Sequence, residues 1–386
     1  MKQTSTQSLS EEEKFEMVIE NWIRISNIKL GWIHDFNKLV VNYATTFFMV
    51  DSFCLKAKLL KTLNGHTNKV YSIDYYNNLI CSGSNDKTVR VWDLEKNEEI
   101  KRSTQHAEYI TCVKFSLYDY NNNKRNVICS CSDEIIRFWD FKNNEQFRTL
   151  NEHTGAVCAI DLSSFNNGKY LCSGSGDRTI RLWNIETSKS LHIFNGHNGV
   201  VWCIDFSPLQ SNTDNNNVGI IGGNGYTICS GSFDKTIRIW DIETTKKLIT
   251  FKGHQCWVRS VKYGINELRN TILSGSNDNT IRLWDIRSGK QIQIFNEHKD
   301  AVMIAKYSPF IINNDDNNVN NVSNILCSGS LDNTIRFWDI RSNKEELYTI
   351  KDCDGIYCLK FLQFKYKNYG VHLCYGTLKG FIRIWG

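Results

Sequence analysis

The sequence predicts an all-β protein: a seven-bladed β-propeller of four-stranded antiparallel blades. Three observations carry that prediction. A block such as CSGSNDKTVRVWD, ending at Asp93, recurs down the chain, and its Trp falls at 92, 139, 183, 240, 284, 338 and 385. A His-ended turn precedes six of the seven copies, at His66, His106, His153, His197, His254 and His298. Within each copy, short β-rich runs alternate with Asp, Asn and Gly turns, the pattern of a small antiparallel sheet. Such a sheet can bury its two faces only against its neighbours, and radial stacking of repeated sheets gives a propeller.

Residues 1–56 precede the repeats and are read as an N-terminal extension, partly helical; residues 57–386 are read as the propeller. Ser10 and Glu13 form a capping box, and Phe15, Val18, Ile19, Trp22 and Ile23 share one face at helical spacing. This predicts a helix over about 11–29, stopped by Gly31. A second apolar stretch, Phe36 to Phe53, is read as helical or extended. The extension is either a cap on the propeller or a device for self-association or partner docking.

The repeats follow in order. In the first, VYSIDY (Val70–Tyr75), NLICSGS, TVRVWD and EEIKRS are the four strands, with Asn85-Asp86-Lys87 as a turn. Three later units are lengthened between their first two strands, by Tyr118–Arg125, Gln210–Gly225 and Asn313–Ser323. These inserts are Asn-rich and read as solvated loops. The seventh copy, CYGTLKGFIRIWG, is worn: it has no His, and Tyr375 and Lys379 stand at the Ser and Asp positions. Its third strand ends at Trp385, while Lys58–Leu63 stands before the first His without a unit of its own.

Gly-His followed by Trp-Asp at a period in the forties, as in Gly65-His66 and Trp92-Asp93, resembles the WD-repeat β-propeller family. The likeness covers roughly residues 57–386. It implies that the leftover N-terminal strand completes the seventh blade and closes the ring. It also implies a buried hydrogen-bonded tetrad in each regular blade. These are Ser82, His66, Asp86 and Trp92; His153, Ser173, Asp177 and Trp183; His197, Ser230, Asp234 and Trp240; His254, Ser274, Asp278 and Trp284; and His298, Ser328, Asp332 and Trp338. Six copies of one nucleophilic site are chemically implausible, so the recurring Ser, His and Asp read as structure. Blade 2 is one residue short between Ser130 and Asp133, which puts its tetrad in question. Blade 7 is expected to rely on packing and on its closing strand. A repeated strand Arg (Arg90, Arg137, Arg181, Arg238, Arg282, Arg336, Arg383) reads as a blade-edge residue with a packed stem and a solvated head.

Function follows by exclusion and then by resemblance. No apolar run reaches membrane-spanning length, and Met1–Ser10 lacks the apolar core of a secretory signal. Net charge is only +5, so nucleic acid is not expected as a direct ligand. Most of the 14 Cys recur at repeat positions a blade apart, which is neither zinc spacing nor a disulfide framework. The chain is therefore expected to be intracellular, in cytoplasm or nucleus, with no metal or cofactor. Phosphate loops and a unique nucleophile beside a base are also missing, so no enzyme is expected. The resemblance implies instead a scaffold or adaptor that binds peptides or proteins on the narrow propeller face. Alternatives are a substrate-recognition subunit of a ubiquitin ligase, or a subunit of a chromatin, RNA-processing or G-protein-β-like complex. No Leu-Pro start of an F-box precedes the repeats. The resemblance implies that this face is formed by the fifth residue after each His and the residue before each tetrad Asp. They give Tyr71, Trp202, Phe233, Arg259, Met303 and Leu331 as partner-binding candidates, with Trp257 beside them, and alignment of the worn seventh repeat adds Tyr357. Blades 2 and 3 carry only small residues there.

Overall fold

The computed structural model describes residues 57–164, 168–208, 226–265, 268–309, 324–341, 346–363 and 371–386. The extension 1–56 and the inserts at 210–225 and 313–323 lie outside the described residues. Seven four-stranded antiparallel sheets are present. Blade 1 is Val70–Tyr76, Leu79–Ser84, Val89–Asp93 and Glu98–Ser103, running in that order from the innermost strand outward. The innermost strands of blades 2 to 7 are Cys112–Phe115, Val157–Leu162, Val201–Phe206, Val258–Tyr263, Val302–Tyr307 and Ile356–Gln363. Each touches the next around a closed ring.

The ring closes with strand Leu59–Leu63, which pairs antiparallel with Ile382–Trp385 as the outermost strand of blade 7. Leu59 lies opposite Trp385 and Leu63 opposite Ile382. Lys58 and Gly386 extend the ladder with two backbone hydrogen bonds of 3.3 Å. The first and last described strands thus share one blade.

Packing between blades explains the Gly of the CSGS block. A Cβ at Gly83 would stand 2.6 Å from Ile110 Cγ2 and 2.8 Å from Val113 Cγ1 of blade 2. The same close approach recurs where Gly231 meets Cys203 and Val258. A side chain there would push the neighbouring blade outward. The second-strand Cys residues 81, 129, 172, 229, 327 and 374 are buried as small hydrophobes, and the 13 described Cys are all free thiols.

One insert departs from the expected solvated loop. Leu117–Asn123 is an α-helix, with Ser116 as its N-cap and Lys124 closing it at φ 55°. Ser116 Oγ donates to Asp119 Oδ2 at 2.7 Å and accepts from Asp119 N at 3.3 Å. Asp119 is fully buried, with the Arg148 guanidinium 3.6 Å away. The Asn-rich tail hid a short capped helix that packs back onto blade 2.

The strand arginines also differ from expectation, since their heads are not solvated. Arg90 is 4% exposed and Arg238 8%. Arg90 pairs with Glu99 at 2.5 Å, Arg181 with Glu152 at 2.6 Å, and Arg336 with Glu346. Each guanidinium reaches a carboxylate or amide beside its own blade, so no basic ring is left for phosphates.

Candidate protein-binding face

Five blades carry the hydrogen-bonded set. In blade 1 the Trp92 indole N–H donates to Ser82 Oγ at 2.8 Å, and Ser82 Oγ lies 2.7 Å from His66 Nε2. His66 Nδ1 lies 2.8 Å from Asp86 Oδ2. Since an indole only donates and a carboxylate only accepts, the direction is fixed: Trp to Ser, Ser to His, His to Asp. The sets at Trp183, Trp240, Trp284 and Trp338 repeat this with distances between 2.6 and 2.9 Å. Burial raises the pKa of Asp86, but hydrogen bonds from His66 and Thr88 outweigh it and hold the carboxyl below its usual range. Burial lowers the pKa of His66, His197 and His254. The sets are sealed and carry no reactive group to the surface.

Blade 2 breaks the set, for a backbone reason. Its shortened turn places Asp133 itself in the left-handed region, at φ 50°. In the other blades the residue after Asp takes that place, as at Lys87 (φ 67°) and Asn279 (φ 65°). Arg137 Nε donates to His106 Nδ1 at 3.3 Å instead, and the Trp139 indole N–H is left without a partner.

Blade 7 does not rely on packing alone. Tyr375 OH donates to Asp352 Oδ2 at 2.6 Å and accepts from the Trp385 indole N–H at 2.9 Å. Arg383 closes on the same Asp352 carboxylate. The length of one phenol spans the gap that Ser and His fill elsewhere.

The turns and strand entries that begin these sets also build one face. Asn85 N–H bonds to Lys69 O, Phe233 N–H to Val200 O, and Asn277 N–H to Trp257 O, each at 2.9 Å. On blades 4 and 5 this brings four of the predicted residues together. Trp202 and Phe233 stack at 5.3 Å, and Phe233 and Trp257 at 4.2 Å with planes 8° apart. The Arg259 guanidinium sits 4.7 Å from Trp202, 5.0 Å from Phe233 and 5.1 Å from Trp257. Its Nε donates to Asn277 Oδ1 at 2.7 Å. Burial lowers the Arg259 pKa, with Tyr357 and Tyr71 opposing. Trp257 is 40% exposed, a large aromatic face held flat and open.

Tyr71 and Tyr357 form a second cluster across blades 7 and 1, at 5.4 Å edge to face. Lys69 lies over Tyr357, and Tyr109 of blade 2 packs 5.9 Å from Tyr71. Tyr109 was not foreseen. It stands three residues after His106, the spacing of Trp257 from His254, and that offset was the available signal. Met303 is buried at 7% exposure, so blade 6 contributes Leu331 rather than Met303 to this face. Among the described residues no cluster of His, Cys, Asp or Glu could hold a metal ion, and no helix is long and apolar enough to cross a membrane.

A family model described as WD domain, G-beta repeat matches residues 57–93, 97–140, 144–184, 188–241, 245–285 and 289–339. The chain belongs to this family of repeat propellers. The seventh, worn unit lies beyond those six matches. Individual relatives resemble single repeats. A probable E3 ubiquitin ligase complex SCF subunit sconB of Emericella nidulans is 40% identical over 42 residues, which is 11% of this chain and 6% of the relative. Cell division control protein 4 of Candida albicans is 61% identical over 36 residues, 9% of this chain and 5% of the relative. A Lissencephaly-1 homolog of Dictyostelium discoideum is 46% identical over 44 residues, 11% and 10% of the two chains. Each match spans about one repeat, so the likeness is to the blade and not to the whole of any relative.

Proposed function

We propose that this chain is a non-enzymatic scaffold or adaptor that captures a peptide or protein on the narrow face, with residues 57–386 as the binding unit and 1–56 as an appended segment. One observation carries the reading: Trp257 is exposed yet rigidly stacked on Phe233, with Arg259 locked between them and Trp202. Flat aromatic rings and a pre-positioned guanidinium lose little side-chain entropy on binding, and they are the residue types of interface hot spots. Tyr71, Tyr357 and Leu331 extend the contact toward blades 6, 7 and 1. The test is affinity purification of wild type beside Trp257→Ala/Arg259→Ala. Loss of a defined partner with an unchanged melting midpoint supports the reading; full retention of partners sinks it.

A second reading is favoured by the repeat likeness to a fungal ubiquitin-ligase subunit. Here the propeller is a substrate-recognition subunit, and residues 1–56 dock the ligase. Ligase components should then co-purify with the intact chain and be lost when 1–56 is removed.

A further inference from the structure

The innermost strands carry one charged residue each at a shared register position. Asp74, Lys114, Asp161, Asp205, Lys306 and Lys360 each sit opposite the Cys of the second strand, and Lys262 sits opposite Leu273. Because these strands line the centre of the ring, the seven charges share the central channel. Lys306 on blade 6 feels both Lys114 and Asp74 from the far side.

Three of the four lysines are matched. Lys360 donates to Asp74 at 2.6 Å, Lys114 to Asp161 at 2.8 Å, and Lys262 to Asp205. Both oxygens of each carboxylate are then engaged, because the second accepts the N–H of Phe115 (3.0 Å), Phe206 (3.2 Å) or Tyr263 (2.9 Å) on the next blade. Lys306 is the remainder: its backbone pairs opposite Cys327, but among the described residues its side chain has no hydrogen bond and no ion pair. Its neighbours in the ring are the cations Lys262 and Lys360. Burial and then Lys360, Lys262 and Lys114 push its pKa well below the ordinary lysine value. Alone in the channel such a lysine gives up its proton, whereas a bound counter-anion would hold it as the ammonium.

We propose that the central channel binds a small inorganic anion at Lys306, between blades 5 and 7, where a fourth carboxylate would complete the ring.

The test uses the intact chain in potassium gluconate, a bulky reference anion, with chloride or phosphate substituted at fixed ionic strength. The wild-type midpoint should rise by about 3–5 °C and then saturate, as ligand linkage requires. Lys306→Met should melt higher than wild type in gluconate and should not respond to either anion. Equal responses in both proteins, or none in wild type, overturn the proposal. Should Lys306→Met fail to fold, bromide-soaked crystals of the wild type decide it: a halide within reach of Lys306 Nζ supports the site, and an empty channel refutes it.

Discussion

At His106 the hydrogen-bond chain runs opposite to that at His66. A guanidinium can only donate, so Arg137 makes His106 Nδ1 an acceptor, and the ring proton must sit on Nε2, 2.7 Å from Ser130 Oγ. Burial, with Arg137 adding to it, pushes the His106 pKa down to about 3. The unfolded chain titrates near 6.5. Between those values the unfolded state takes a proton that the folded state refuses. The stability is therefore complete above pH 6.5 and drains as pH falls toward about 3. His66, His197 and His254 are lowered in the same direction. The five tetrad Asp carboxyls act in a lower window, losing their stabilisation below their ordinary range near pH 4. Urea unfolding from pH 7 to 4.5 should thus show stability falling, with His106 contributing a slope that approaches about 1.4 kcal/mol per pH unit below pH 6.5 and the other three adding in the same direction. His106→Gln should flatten that slope; an unchanged slope would contradict the assignment. At Trp240, which is 1% exposed, truncation to Ala should cost about 3–5 kcal/mol, measurable as a shifted urea midpoint.

At the scale of elements, the helix Leu117–Asn123 turns on Asp119. Asp119→Ala leaves Ser116 and the Arg148 guanidinium without their buried carboxylate, and should cost about 1–3 kcal/mol by chemical denaturation. An effect below about 0.5 kcal/mol would make the helix incidental to blade 2. This helix also shows where sequence reading falls short. Ser116-Leu-Tyr-Asp119 has the spacing of a capping box, a signal masked by the Asn-rich composition of the insert, which reads as loop. The strands were legible because the repeat aligns seven versions of each, so period-two patterns and turns reinforce one another. The departures were legible as irregularities but not as geometry. The short blade 2 turn was visible, whereas the handover of His106 to Arg137 depends on a single φ angle. Tyr375 read as a lost Ser, although a phenol is long enough to reach past the missing His to Asp352. On the candidate face, the fifth residue after His marks Trp202 and Arg259 of the aromatic cluster, and the third marks Trp257 and Tyr109. The charged eighth residue after each His, equally regular, gains its meaning only when seven strands share one channel.

At the scale of the whole molecule, closure decides whether seven sheets behave as one. Leu63 is 3% exposed and packs with Ile382, Ile384, Trp92 and Cys358, so it ties the first strand of the propeller into the contact between blades 7 and 1. The channel charges bind blades in the same sense. Asp74 takes Lys360 of blade 7 and the Phe115 N–H of blade 2, holding three blades at one carboxylate. A ring joined this way has no free end from which a single blade can peel. Leu63→Ala should remove about 2–5 kcal/mol of packing at the closure. If closure couples the blades, this loss should move the whole thermal transition to lower temperature as one event in calorimetry. A separate early transition, with the main one unmoved, would mean that blade 7 melts independently and that the other six hold together without it.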